Sequence, residues 1–166
     1  MRKSLVTMAY VLCFSLVVGV MVLKVPSIAF GIGVTVDIRP ETLNLKSNGT
    51  WITAHIELPN GYNVSDINIS TVFLENVIPA ESDPKYGFVK DPEIEDSDNN
   101  GIPELMVKFD RWAVIDYIWV FKLYHMGFDP LSSLPKEGVE VELTIIGSLD
   151  TETFEGSDTI RVIYKS

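Results

Sequence analysis

Nine consecutive residues carry the clearest chemistry in this chain: Asp96-Ser97-Asp98-Asn99-Asn100-Gly101-Ile102-Pro103-Glu104. Side-chain oxygens stand at the first, third and fifth positions (Asp96, Asp98, Asn100), a glycine at the sixth and the carboxylate of Glu104 at the ninth. A tight loop with this spacing turns its oxygens inward. Gly101 permits the bend, and the main-chain carbonyl of Ile102 faces the same point. About five protein oxygens then converge, and water completes the about six to eight that a hard divalent cation takes. Ca2+ is the expected ion. The loop is not an EF-hand, because Val107 stands at the twelfth position, where that loop needs a bidentate glutamate. The competing interpretation is an acidic Asx-turn hairpin without metal, since Asn100-Gly101 between two β-like segments is itself a turn signal.

The loop resembles the D-x-D-x-D-G-x-x-D loops that join strands in extracellular β-proteins. It departs from them in having Asn100 for a carboxylate and Glu104, one methylene longer, for an aspartate. Elsewhere the chain offers little for catalysis. His55 falls on the polar side of an alternating segment and is expected to be an ordinary exposed residue, and His125 sits within an aromatic stretch. The single cysteine, Cys13, lies in an apolar N-terminal run, so the remainder has no thiol nucleophile, disulfide or zinc–thiolate site. No G-x-S-x-G elbow or phosphate-cradling glycine loop occurs. A glycosidase pair of carboxylates has no sequence signature that separates it from solvated charge. An enzyme is not expected.

The elements that must position the loop begin after an export signal. Arg2 and Lys3 precede an uncharged run from Leu5 to Leu23, Lys24 and Pro26 close it, and Ser27-Ile28-Ala29 offers a small-x-small cleavage site. Residues 1–29 therefore read as a secretory signal peptide or, since the run is almost long enough to span a bilayer, as an N-terminal membrane anchor. Either way the remainder is exported, to the medium or the cell surface, and touches membrane only through residues 5–23 if they stay attached. Residues 30–166 suffice for a single domain with its own core. That part holds 10 basic and 23 acidic residues, a net charge of −13. Such a surface repels nucleic acid and anionic lipid and suits surroundings rich in divalent cations.

The hydrophobic pattern is all-β. Val34–Ile38 alternates and stops at Arg39-Pro40, Leu43 and Leu45 make a short continuation, and Trp51–Leu58 alternates with Ile52, Ala54, Ile56 and Leu58 on one face. Thr71–Leu74 is a short strand. Residues 79–95 form a long acidic loop with a brief strand at Phe88-Val89, and Leu105–Phe109, Val139–Ile146 and Asp158–Tyr164 are strands, the last entered through a turn at Phe154-Glu155-Gly156. About seven short strands at turn-punctuated spacing predict an immunoglobulin-like β-sandwich. An insertion at about 112–137 interrupts it with an aromatic helical segment that is apolar nearly all round, so it must be buried or touch something. It either covers one end of the sandwich or presents Trp112, Trp119 and Tyr124 to a protein or glycan partner at the cell surface.

Several segments in order resemble an extracellular module that recurs in secreted and surface proteins of archaea and bacteria. They are Val36–Pro40 with Leu43–Ser47, Ile56–Pro59 with Val64–Ile67 and Thr71–Leu74, the cation loop running into Val107–Arg111, and Leu143–Gly147 with Phe154–Val162. The resemblance implies a non-catalytic β-sandwich accessory domain and supports the metal loop. Three sequons, at Asn48, Asn63 and Asn68, fit an exported chain that carries glycans, or else mark ordinary polar turns. The expected role is structural or adhesive. The alternative is a carbohydrate-binding module that uses the aromatics of 112–128.

Overall fold

The computed structural model of the protein describes residues 31–90, 94–128, 134–150 and 152–165. The expected leader at 1–29, Asp91 and Glu93 of the acidic loop and residues 129–133 of the expected insertion lie outside them. Among the described residues no helix is long and apolar enough to cross a membrane.

Alternation of apolar and polar residues folds as expected into strands, and ten occur among the described residues. They are β1 (Ile32–Gly33), β2 (Thr35–Arg39), β3 (Thr42–Asn44), β4 (Trp51–Glu57), β5 (Phe73–Leu74), β6 (Ile78–Pro79), β7 (Ile94–Glu95), β8 (Glu104–Asp110), β9 (Val139–Leu149) and β10 (Glu152–Ile163). The chain is mostly β, in two sheets that share one core. One sheet runs β2-β4-β8-β7. The other runs β1-β10-β9-β5-β6, with β3 also paired to β10. Ile38, Ile52, Ala54, Ile56, Leu105, Val107 and Phe109 from the first sheet meet Leu43, Leu74, Leu143, Ile145, Phe154, Ile160 and Val162 from the second. Burial of that apolar area from both inner faces holds the layers together.

Two details depart from the expected set of about seven short strands. The set is larger, and five of its members have only two or three residues, whereas β9 and β10 pair antiparallel over nearly their full lengths. Phe154-Glu155-Gly156 is not a turn but the interior of β10. Gly156 is there for room: a Cβ at that position would lie 2.5 Å from the carbonyl oxygen of Val34, where the chain crosses from β1 in one sheet to β2 in the other. β10 thus takes two parallel partners on one edge, β1 at its start and β3 at its end, while β2 passes to the opposite sheet between them.

The long connection from β6 to β8 lies against the outer face of the four-stranded sheet. The amide of Glu81 donates to the carbonyl of Lys108 (2.8 Å). Tyr86 and Phe88 stack on each other and meet the ring of Trp51 edge-on at 5.0 and 5.6 Å, with the Lys108 ammonium 4.3 Å from the Phe88 ring centre. Phe88 belongs to a helical turn, α1 (Gly87–Lys90), rather than to the expected strand.

Candidate functional site

The acidic loop leaves β7 at Glu95 and enters β8 at Glu104, and backbone pairing sets Glu95 opposite Glu104 and Glu104 opposite Glu57 of β4. Three carboxylates therefore stand side by side across three strands, a like-charge arrangement that works against the pairing. The expected ligands divide into two groups. Asp96 turns inward to cap its own loop, its two oxygens accepting from the amides of Asn100 (2.9 Å) and Gly101 (3.0 Å). Gly101 has φ +88°, the left-handed conformation its position requires, and Asn99 shares that region at φ 59°. Asp98 accepts from the Asn100 amide with one oxygen and from the Asn100 side-chain nitrogen with the other, both at 3.0 Å.

Asn100 offers its nitrogen, not its oxygen, toward the carboxylates. That nitrogen also donates to Glu57 (2.7 Å), while its oxygen accepts from the Ile102 amide (2.7 Å). Glu104 is buried, at 5% exposure, and one of its oxygens accepts from both the amide (3.1 Å) and the hydroxyl of Ser97. What the fold gathers is Glu57, Asp98 and Glu104, each with an oxygen within 4.8 Å of the others'. Sequence spacing held Asp98 and Glu104 but missed Glu57, which lies 41 residues before Asp98 and 47 before Glu104 and joins them through the β4–β8 register. These three carboxylates could together hold a divalent cation, and unit charges about 4 Å apart near a protein surface repel by roughly 4 kcal/mol.

His55, expected to be exposed, is buried at 7%. It does lie on the outer face of its strand, beside Asp37 and Met106 in register, but Glu95 of β7 and Glu104 of β8 stand close to its ring. Its Nδ1 lies 3.4 Å from an oxygen of Glu95 and 3.6 Å from one of Glu104, yet makes no hydrogen bond.

The aromatic segment is the second candidate. Asp110 caps α2 (Arg111–Tyr117) by accepting from the Ala113 amide (2.8 Å), and the helix continues as a π-helix over Ile118–Leu123. Val114 and Ile118 are buried four residues apart, and the next buried residue is Leu123, five further on. The wider π turn thus carries Leu123 into the core in place of Lys122, which swings out to pair with Glu75 at 2.9 Å. Glu75, held at φ 55°, also accepts from the hydroxyl of Tyr117 (2.8 Å) and the amide of Thr144 (2.9 Å). Burial, and then the bond to Glu75, pushes the Tyr117 phenol up to about 12. At the first turn the buried Arg111 donates to Asn44 and Ser47 beneath Gly49, and burial lowers its pKa.

The three aromatics expected to meet a partner do not form one platform. Trp112 and Tyr124 are exposed, at 53% and 68%, but stand near opposite ends of the helical segment, and Trp119 packs edge-on against Tyr164 (5.7 Å). Val120, Phe121 and Met126 add to the exposed apolar side. One stripe of the segment closes the core and another faces out. All three sequon asparagines are exposed. Asn63 and Asn68 cap short 3-10 turns through their side-chain oxygens. In comparisons with known proteins, no family model, curated protein or solved structure matches the chain.

Proposed function

We propose that the chain is a non-catalytic domain, secreted or held at the cell surface, whose immunoglobulin-like sandwich is stabilised by Ca2+ and serves structure or adhesion. The convergence of Glu57, Asp98 and Glu104 on one end of the four-stranded sheet carries this reading. Glu57 and Glu104 stand opposite each other in the strand register and Asp98 adds a third charge from the loop; a hard cation bound among them offsets that repulsion while fixing the loop. The net charge of −13 after the leader and the resemblance to extracellular modules support the same setting. Extracellular calcium sites of this kind work at about 10⁻⁴–10⁻³ M.

The test is thermal unfolding of the full chain with calcium, with magnesium and with chelator, beside an Asp96→Ala/Asp98→Ala variant. Calcium at about ten times its dissociation constant adds about 1.4 kcal/mol. For a domain of this size that raises Tm by roughly 4–6 °C. A rise specific to calcium and lost in the variant is expected; identical curves in calcium and chelator overturn the reading. The exposed rings of Trp112 and Tyr124 favour a second reading, a carbohydrate-binding module. Protection of Trp112 from acrylamide quenching by added glycans distinguishes it.

A further inference from the structure

The buried imidazole beside the acidic row has no place in an all-oxygen calcium site. His55 is 7% exposed and Glu104 5%, and both are fixed on adjacent central strands. Nδ1 of His55 faces the carboxylates of Glu95 (3.4 Å) and Glu104 (3.6 Å) without a hydrogen bond among the described residues. A buried ring nitrogen without a partner, facing two carboxylates, is a donor set that a cation can satisfy. The group as a whole, Glu57, Glu95, Asp98 and Glu104, presents four carboxylates, and a divalent cation offsets twice as much of that charge as a proton does.

We propose that His55, Glu104 and Glu95 bind a nitrogen-ligating divalent cation of the Zn2+ class on the outer face of the four-stranded sheet. Spacing and donor type both favour that class. Two donors each about 2.1 Å from a tetrahedral zinc stand about 3.4 Å apart, which is the separation of His55 Nδ1 from its two carboxylate neighbours. Imidazole is a ligand of zinc and its transition-metal neighbours, whereas calcium takes oxygen. His55 and Glu104 are the fixed pair. His55, Glu95 and Glu104 are not a set with all donors within 4.8 Å of one another, so Glu95, whose side chain is 38% exposed on the two-residue edge strand β7, must turn in to complete the site. Water fills the remaining position. Ser97, donating to Glu104 from both its amide and its hydroxyl, orients the buried ligand as an outer-shell partner does. The site stands without calcium in the loop, because only Glu104 is common to the two.

The experiment is a titration of the metal-stripped full chain with Co2+, followed by its visible absorption and then by displacement with Zn2+. Equimolar, saturable uptake with the intense bands of a low-coordinate cobalt centre is expected, reversed by Zn2+ and untouched by millimolar Ca2+. His55→Gln weakens uptake by at least the about tenfold to a hundredfold that loss of even an outer-shell partner costs. The same variant keeps the calcium-dependent rise in Tm, whereas Asp96→Asn keeps the cobalt uptake. Absence of uptake by the wild-type chain, displacement by Ca2+, or unchanged affinity in His55→Gln overturns the proposal. A calcium response that fails while cobalt binding survives condemns only the calcium reading. If His55→Gln does not fold, the 15N resonance of His55 Nδ1 in the wild-type chain decides: it shifts on adding Zn2+, and an unmoved resonance overturns the assignment.

Discussion

The acidic end of the four-stranded sheet and the helical segment at 111–128 are ordered by opposite means. At the acidic end, order comes from directional bonds over short range: Asp96 to two amides of its own loop, Asn100 to Ile102, Ser97 to Glu104. Charge works against that order. In the helical segment, order comes from burial of Val114, Ile115, Ile118 and Leu123 against the core, and one distant carboxylate, Glu75, ties Tyr117 and Lys122 to the sheets. A region held by local hydrogen bonds under repulsion responds to ions, whereas one held by packing responds to cavities.

Leu123→Ala removes the fully buried residue that the π turn delivers to the core. It is expected to cost about 2–5 kcal/mol in urea unfolding, with or without calcium. A calcium-dependent loss would show that the two regions are not separate. Tyr117→Phe comes next and removes a bond to a carboxylate, worth about 1.5–3 kcal/mol. The phenol is raised from about 10 to about 12 in the fold, so its contribution is fully present below pH 10 and is lost as pH climbs toward 12. Absorbance at alkaline pH should show a last tyrosine ionising near 12 that Tyr117→Phe lacks.

A smaller change sharpens the other side. Glu57→Gln removes one charge from the row but keeps an oxygen for the Asn100 side chain. With chelator it is expected to stabilise by up to about 1 kcal/mol, and with saturating calcium to destabilise, because a ligand charge is lost. The reversal of sign is the signature; one sign in both conditions removes the cation from the account. Smallest of all, Trp112→Ala and Tyr124→Ala are expected to change stability by no more than about 0.5 kcal/mol, since both rings face water.

Period-two patterns were readable wherever a strand has one buried face. The alternation of Ile52, Ala54 and Ile56 gave β4 and its inner face, and that of Val141, Leu143 and Ile145 gave β9. Three things escaped for the same reason, that they depend on residues distant in the chain. Glu57 enters the site through pairing with Glu104. His55 is flanked by Glu95, forty residues on, and by Glu104. Gly156, read as a turn, marks instead where Val34 crosses over β10. Two-residue strands such as β5, β6 and β7 are too short to carry a period. In the helical segment the apolar character was plain, but a spacing of 3.6 does not locate the buried stripe beyond Ile118, because the π turn advances it by five.

The carboxylate of Asp158, on β10, accepts from the amide of Ile38 at 2.8 Å. Ile38 belongs to β2, the outermost strand of its sheet, and an outermost strand with free amides is a template on which a foreign chain can add. Here a side chain from the opposite sheet already fills that position, and the other border of the same sheet, β7, is only two residues long. The sandwich is thereby guarded against strand-by-strand aggregation at both borders of this sheet, a protection that does not depend on a bound ion.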